Sequence, residues 1–487
     1  MTSYLPPVVT QPLARGVDML RGTLGGISWG PALSVSKAAV TSLLNKIEIG
    51  QLVIVDETTG QTATYGQKIA KEHSKKTNGA NGVNGVNGVN GVNGTKKRAG
   101  GVRKVELVVK REAFWVRLFL FADMGFAEAY MLGDFECEDL TSFFEIFILN
   151  RSQLANATTL TSSIAATITG LARSTNTLSN SLLNVSAHYD ISNEMFAAFL
   201  SEDMTYSCAI WKPVSSADVE EETLEAAQIT KLNRFIDGAH IKPTDHVLEI
   251  GTGWGSFAIE AVKKTGCRVT SLTLSIEQKA LAEKRIAAAG FTDKIEVLLM
   301  DYRALPTPKV LYDKVISIEM LEAVGAEYLE TYFSCIHRLL KKDGIAVFQC
   351  ITMPEGRYEA YAKGEDFIRK YIFPGGHLPS ISQLVEKISK GSEGTLVVER
   401  IENIGGHYAK TLRLWREEFV KNFESRIRPA LMNEHDNMGE KEVEVFRRKW
   451  IYYFVYCEAG FATKTLGDAI ITVGREGCQE LMEGVPL

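Results

Sequence analysis

The sequence predicts an α/β protein built on a mostly parallel seven-stranded sheet with helices on both faces, preceded by a small α+β domain. Three observations predict it. Strand-type and helix-type segments alternate from residue 186 onward, a glycine-rich turn follows the first of those strands, and a separate group of short strands lies before residue 150. Alternation at this spacing makes a parallel sheet, because each strand must cross back over a helix to run beside its neighbour.

Composition narrows the class further. The 487 residues are ample for two or three domains, and 45% hydrophobic with 23% charged residues is ordinary for a globular chain. A net charge of −5 argues against nucleic acid as a partner, since phosphate binding needs a basic surface. The seven cysteines are scattered without a CxxC pair, which predicts reduced thiols and no metal site. The N-terminal residues lack a basic stretch followed by an apolar one, which predicts no secretory leader, and no run reaches the roughly 18 apolar residues that cross a bilayer. A cytoplasmic location with peripheral membrane contact is the expectation; a homodimer is compatible with it.

Residues 1–150 read as the accessory domain. LVIVD (52–56), a turn at Glu57–Gly60 and QTATYG (61–66) form a strand pair, with VELVVK (105–110) as a third strand. Between them, 73–98 is an Asn-Gly-Val repeat bracketed by lysines, too poor in apolar surface to pack. It predicts a disordered loop; a tether through its lysines is the alternative. Strand-like alternation is expected from Phe114, giving way to a helix entered near Glu138–Thr141. The charge-poor stretch 151–185 carries Leu154, Ala157, Leu160, Ile164, Ile168 and Leu171 at helical spacing. It predicts a helical linker packed on its own protein, the alternative being an interfacial helix touching lipid.

The domain at 186–487 supplies the sheet. Its strands are expected at 246–251, 268–274, 295–300, 314–319, 345–351, 395–404 and 467–476, with helices at 276–289, 327–340, 408–424 and 440–457. VLEIGTGWGSFA (247–258) places a buried strand before Gly251, Gly253 and Gly255, and a helix after them. Glycines let the chain turn tightly and let a ligand approach bare backbone at a helix N-terminus. The spacing is GxGxG after an acidic residue, with serine where a dinucleotide fold has its third glycine. This Rossmann-like turn suits S-adenosylmethionine, with Glu249 orienting its amino-acid end; a purely structural turn is the alternative. The following strand ends in SLTLS (271–275) with no ribose-binding carboxylate, so Thr273, Ser275 and Gln278 would serve with neutral hydrogen bonds.

Together these motifs resemble the cyclopropane-fatty-acyl-phospholipid synthase family, which includes the mycolic acid cyclopropane synthase-like methyltransferases. The resemblance rests on HYDIS (188–192), MTYSCAIW (204–211), the glycine turn, LTLSIEQ, EMLEAVG (319–325), YIFPGGHLPS (371–380), HYAKTLRLW (407–415) and YCEAGF (456–461). FADMGFAEAYMLGDF (121–135) is similar to the family's accessory domain. The resemblance implies transfer of the sulfonium methyl to a cis double bond of an unsaturated phospholipid acyl chain. A carbocation would form, lose a proton from the new methyl and close to a cyclopropane. It implies cofactor contacts by Tyr206, Ser207, Glu249, Gly251, Gly253, Trp254, Gly255, Thr273, Leu274, Ser275, Gln278, Asp301 and Tyr302. It implies bicarbonate as the base, held by Cys208 through its backbone, Glu322, Gln349, the Ile351 backbone and Tyr408. Cys457 falls at the family's active-site cysteine, although a carbocation route needs no nucleophile and a substrate-lining role is equally open.

Two positions depart from many bacterial members of the family, Gln349 and Ala323 both standing where a histidine is common. With RYEAY (357–361), this looks more like a eukaryotic and actinobacterial branch, which also contains enzymes leaving a methyl or methylene branch on an acyl chain or sphingoid base. A catalytically silent lipid-binding protein and a nicotinamide oxidoreductase are the readings from other classes. Arg413, Arg416, Arg426, Arg428, Arg447, Arg448 and Lys449 on the two long C-terminal helices are candidates for anionic headgroups, or else simply a solvated face.

Overall fold

The computed structural model describes residues 29–67, 103–155, 192–213, 222–434, 438–483 and 485–486. The Asn-Gly-Val repeat, most of 151–185 and most of HYDIS lie outside the described residues. The chain divides into two compact units, Met1–Asn176 and Thr177–Leu487.

In the first unit a helix α1 (Trp29–Leu44) precedes a four-stranded sheet of order β2-β1-β3-β4, made of β1 (Gln51–Asp56), β2 (Gln61–Gly66), β3 (Lys104–Val109) and β4 (Phe135–Glu136). The expected strand pair is an antiparallel hairpin, and the third strand joins β1 in parallel register, Leu52 opposite Val105. The expectation of a strand from Phe114 fails. Residues Ala113–Met131 form helix α2, kinked where Ala122 leaves helical geometry, and α3 follows at Leu140–Leu149 as the expected helix. An unbroken apolar run cannot tell a buried strand from a buried helix by periodicity. The kink lays Gly125 on the Arg117 carbonyl, where any Cβ would sit 2.0 Å from the oxygen.

The second unit contains the predicted sheet. Its strands are β5 (His246–Ile250), β6 (Arg268–Thr273), β7 (Ile295–Leu299), β8 (Tyr312–Ile318), β9 (Leu340–Thr352), β10 (Leu396–Asn403) and β11 (Gly467–Arg475), in the order β10-β11-β9-β8-β5-β6-β7. The β9–β8–β5–β6–β7 pairings are parallel, and β11 runs antiparallel between β9 and β10. Fully buried Leu248, Val315, Ala346 and Phe348 form the centre of the core, as strands covered on both faces require.

Helices α4 (Leu224–Gly238), α5 (Ser256–Thr265), α6 (Ile276–Ala288) and α7 (Leu329–Leu339) connect and cover these strands. Two further long helices, α8 (Gly405–Asn422) and α9 (Glu440–Ala462), pack on one another through an aromatic seam including Tyr408, Phe419, Trp450, Phe454 and Phe461. Among the described residues no helix is long and apolar enough to cross a membrane.

This topology decides where a site can form. Strands run outward from β5 in opposite directions, so the crevice beyond the carboxyl ends of β5 and β8 is the switch point where open α/β sheets bind ligands. Because β11 is antiparallel, its first residues lie at that same edge, with Asp468 opposite Ile351.

Candidate active site

The glycine turn leaves β5 at this edge. Gly251, Gly253 and Gly255 adopt φ of +102°, +52° and +85°, conformations that side chains disfavour. The backbone N–H groups of Gly251 and Thr252 donate to the Leu272 carbonyl at 3.0 and 2.9 Å, which locks the turn to β6. A Cβ at Gly251 would press on Met320 at 3.3 Å. Glu249 is buried and accepts from Ser271 Oγ at 2.5 Å; burial pushes its carboxyl up to about 8. Trp254 is buried, its indole N–H donating to Asn193 Oδ1 at 2.7 Å, and Arg285 Nη1 donates to the Trp254 carbonyl at 2.6 Å.

At the end of β6, Thr273 donates to Gln278 Oε1 at 2.9 Å, and Ser275 caps α6 by accepting from the Gln278 N–H. Leu274 beside them is exposed. The tip of β7 carries Asp301, whose carboxylate is taken up by Arg303, and Tyr302, whose ring meets Tyr332 edge-on. Every residue expected to hold the cofactor on strands β5 to β7 therefore lies at one sheet edge. Tyr206 and Ser207 reach the second unit's interior from the loop 200–213. The Tyr206 hydroxyl lies 2.9 Å from that of Tyr453, with its ring against Trp415 and Phe196. Ser207 Oγ accepts from the buried Lys231 ammonium at 2.6 Å.

The neighbouring edge, beyond β8, β9 and β11, holds a cluster of carboxyl groups. Glu319 follows β8 with φ +46°, a left-handed conformation that costs a non-glycine residue roughly 1 kcal/mol. Its Oε1 accepts from the Cys208 backbone N–H at 2.8 Å and from Gln349 Nε2 at 2.6 Å, and its Oε2 accepts from the Tyr408 hydroxyl at 2.6 Å. Glu322 Oε1 accepts from the Ile351 backbone N–H at 2.5 Å. Gln349 Nε2 also donates to the fully buried Asp468 at 2.7 Å.

The electrostatics follow from those donors. Burial raises all three carboxyl groups, and mutual repulsion among them adds to it for Glu322, which reaches about 8, and for Asp468. Glu322 Oε2 and Asp468 Oδ1 are buried without a hydrogen-bond partner, which an ionised group would not tolerate. Glu319 instead faces three converging donors and the Lys231 charge, so the cluster's negative charge concentrates there.

The residues expected to hold bicarbonate lie together at this edge. Cys208, Gln349, Ile351 and Tyr408 do converge, but their donors already serve the protein's own carboxylates. A second anion placed there would compete with these carboxyl groups for the same donors.

Cys457 lies on α9 among aromatic rings, and burial pushes its thiol well up, so a thiolate is disfavoured there. Of the basic residues expected to face headgroups, Arg413 pairs with Glu417, Arg416 with Glu458, Arg428 with Glu424 and Arg447 with Glu444. Lys449 is buried. Sequence reasoning missed Glu319, Asp468, Lys231 and Asn193. An ionisable residue inside an apolar strand or helix pattern, as at Asp468 and Lys231, is the signal that points to two of them.

Comparison with known proteins gives a consistent outcome. The family described as mycolic acid cyclopropane synthetase matches residues 176–468. The tuberculostearic acid methyltransferase UfaA1 of Mycobacterium tuberculosis is 37% identical over 73% of this chain and 79% of its own length. The cyclopropane-fatty-acyl-phospholipid synthase of Escherichia coli K12 is 32% identical over 75% of this chain and 87% of its own. Among solved structures, mycolic acid cyclopropane synthase CmaA1 complexed with SAH and CTAB superposes with a TM-score of 0.50 at 30% identity, covering 60% of this chain and 98% of that one.

Proposed function

Because this chain belongs to the mycolic acid cyclopropane synthetase family, we propose that it transfers the methyl group of S-adenosylmethionine to the cis double bond of an unsaturated phospholipid acyl chain, closing a cyclopropane ring. The observation that carries the reading is the adjacency of two edges. The Glu249–Gly255 turn and the Glu319 cluster follow the adjacent parallel strands β5 and β8, where a Cβ at Gly251 would lie 3.3 Å from Met320. One would supply a seat for a sulfonium nucleoside, the other a buried hydrogen-bonded carboxylate at the neighbouring strand end.

The residues divide the work. Glu249, with the bare backbone of the turn, would take the donor's ammonium and carboxylate end. Thr273, Ser275 and Gln278 offer neutral hydrogen bonds for the nucleoside, and Leu274 an exposed apolar surface. Tyr206, Trp415, Phe196 and Tyr453 present aromatic faces that stabilise a carbocation without adding to it as nucleophiles. Their packing also excludes water, which would quench the cation. Peripheral contact with a bilayer follows from a substrate of this kind.

A second reading shares every step up to the cation. The 37% relative is named a methyltransferase of tuberculostearic acid, so a methyl or methylene branch is the alternative product. Purified protein incubated with the methyl donor and dioleoyl phospholipid vesicles decides between them by mass spectrometry. Acyl chains heavier by one methylene unit that resist hydrogenation are expected. Chains that take up hydrogen, or that fragment as methyl-branched, would overturn ring closure; unaltered lipid would overturn the reading as a whole.

A further inference from the structure

We propose that Glu319 is the resident base of this enzyme, removing the proton from the newly attached methyl in place of a bound bicarbonate. The inference deepens the function proposed above and rests on it. Three donors of different origin converge on this one carboxylate: a backbone N–H of the loop 200–213 (Cys208), an amide on β9 (Gln349) and a phenol on α8 (Tyr408). A planar, anionic acceptor of carboxylate shape is what such a set recognises, and the side chain of Glu319 supplies it covalently.

The backbone supports the same conclusion. Glu319 is held at φ +46°, where glycine would sit without strain, and its N–H donates to the Gln349 carbonyl at 3.0 Å. A left-handed non-glycine residue whose carboxylate enters a buried donor set is the kind of strained position that clusters at active sites. The neighbours are poorer candidates. Asp468 takes the Gln349 amide and lies against Glu319, and Glu322 takes the Ile351 N–H with the Cys350 thiol beside it; each leaves one carboxyl oxygen without a hydrogen-bond partner. The titratable groups facing Glu319 are Tyr206, Cys208 and Lys231 on one side, Tyr408 on α8, Tyr453 on α9, Glu322 beyond β8, Cys350 on β9 and Asp468 on β11.

The step balances without a co-reactant. The C–H bond of the new methyl breaks, its electron pair forms the third ring bond to the cationic carbon, and the proton passes to Glu319. That proton is exchanged to solvent after the lipid leaves, restoring the carboxylate.

The test compares wild type, Glu319→Gln and Glu319→Gly, with dioleoyl phospholipid vesicles and the methyl donor, in carbon dioxide-free buffer and in buffer with added bicarbonate. Wild-type turnover should not respond to bicarbonate. Both variants should lose about 100-fold or more in kcat, the usual range for a general base. Only Glu319→Gly, which opens the donor set and suits the backbone, should regain activity when bicarbonate is added. Methyl-donor affinity, measured by calorimetry, should stay within about threefold in both variants, which separates loss of the base from misfolding.

Wild-type activity that disappears in carbon dioxide-free buffer and returns with bicarbonate would overturn the proposal, as would near-normal turnover by Glu319→Gln. A direct binding measurement, by NMR with carbon-13 bicarbonate, needs no turnover: saturable binding to wild type contradicts the proposal, and binding to Glu319→Gly alone supports it. If wild type binds the methyl donor but alkylates no unsaturated lipid, the proposed function itself fails. If it alkylates but needs bicarbonate, only the base assignment fails.

Discussion

The two halves of the site are built by opposite means. The cofactor edge is local: one strand, three glycines and a helix within Val247–Ala258, locked to the neighbouring strand by two backbone hydrogen bonds to Leu272. The carboxyl edge is assembled from residues between 208 and 468, on a loop, three strand ends and a helix. The local half binds by shape and bare backbone. The assembled half acts through electrostatics, and its charge depends on every contributor at once. Damage to the first should therefore appear in binding and damage to the second in turnover.

The largest expected separation comes from Gly251→Val. Its φ of +102° strains a β-branched residue and its Cβ would press on Met320 at 3.3 Å, so methyl-donor affinity should fall by at least about 100-fold. Calorimetry checks it; retained affinity would show that the turn tolerates a side chain and is not the seat of the donor.

Tyr408→Phe is the mirror experiment. It removes one of the three donors on Glu319 while keeping the ring against Phe461. A hydrogen bond to a charged group is worth about 1.5–3 kcal/mol, so kcat should drop about 10- to 100-fold with donor affinity unchanged. Losing that donor also raises the Glu319 carboxyl further, so the acid limb of the kcat profile should move to higher pH.

A pH titration sharpens the contrast. Glu249 is pushed by burial from 4.5 up to about 8, so the ligand-free protein holds it protonated at neutral pH. An ammonium bound beside it favours the ionised form. Binding should then release a proton, and affinity should rise with pH by at most about tenfold per unit toward pH 8. The sign for stability is opposite. The folded state keeps this proton and the unfolded state loses it, so the free protein loses stability as pH climbs from 4.5 to about 8. Glu249→Gln should flatten both dependences, as seen in calorimetry across pH and in thermal melts.

The smallest effect belongs to Ser275→Ala. It removes the cap of α6, which accepts from the Gln278 N–H at 3.1 Å, and should cost about 1 kcal/mol of stability by denaturant unfolding. Donor affinity should fall as well, by less than in Gly251→Val, since one neutral hydrogen bond to the nucleoside is lost while the glycine turn is untouched.

The same division explains what could be read from the sequence. The seven strands of the large sheet and the glycine turn were legible because period and punctuation are local signals. Helix α2 was not, since its apolar run lacks a polar face to set the period, and α1 carried no signal strong enough to be expected. Glu319 stands in the quoted EMLEAVG motif, yet Glu322 drew the expectation there. What distinguishes them is a left-handed φ and three distant donors, and neither is visible in a one-dimensional pattern. Asp468 enters through strand register, its position opposite Ile351 being set by the β11–β9 ladder.

The measurement that bears most directly on the account is the isotopic content of the product made with methyl donor carrying a fully deuterated methyl group. Deprotonation of the new methyl by Glu319 followed by ring closure predicts a hydrogenation-resistant chain that keeps two of the three deuterium atoms. A product that keeps all three would show that the methyl is never deprotonated, and would contradict the account.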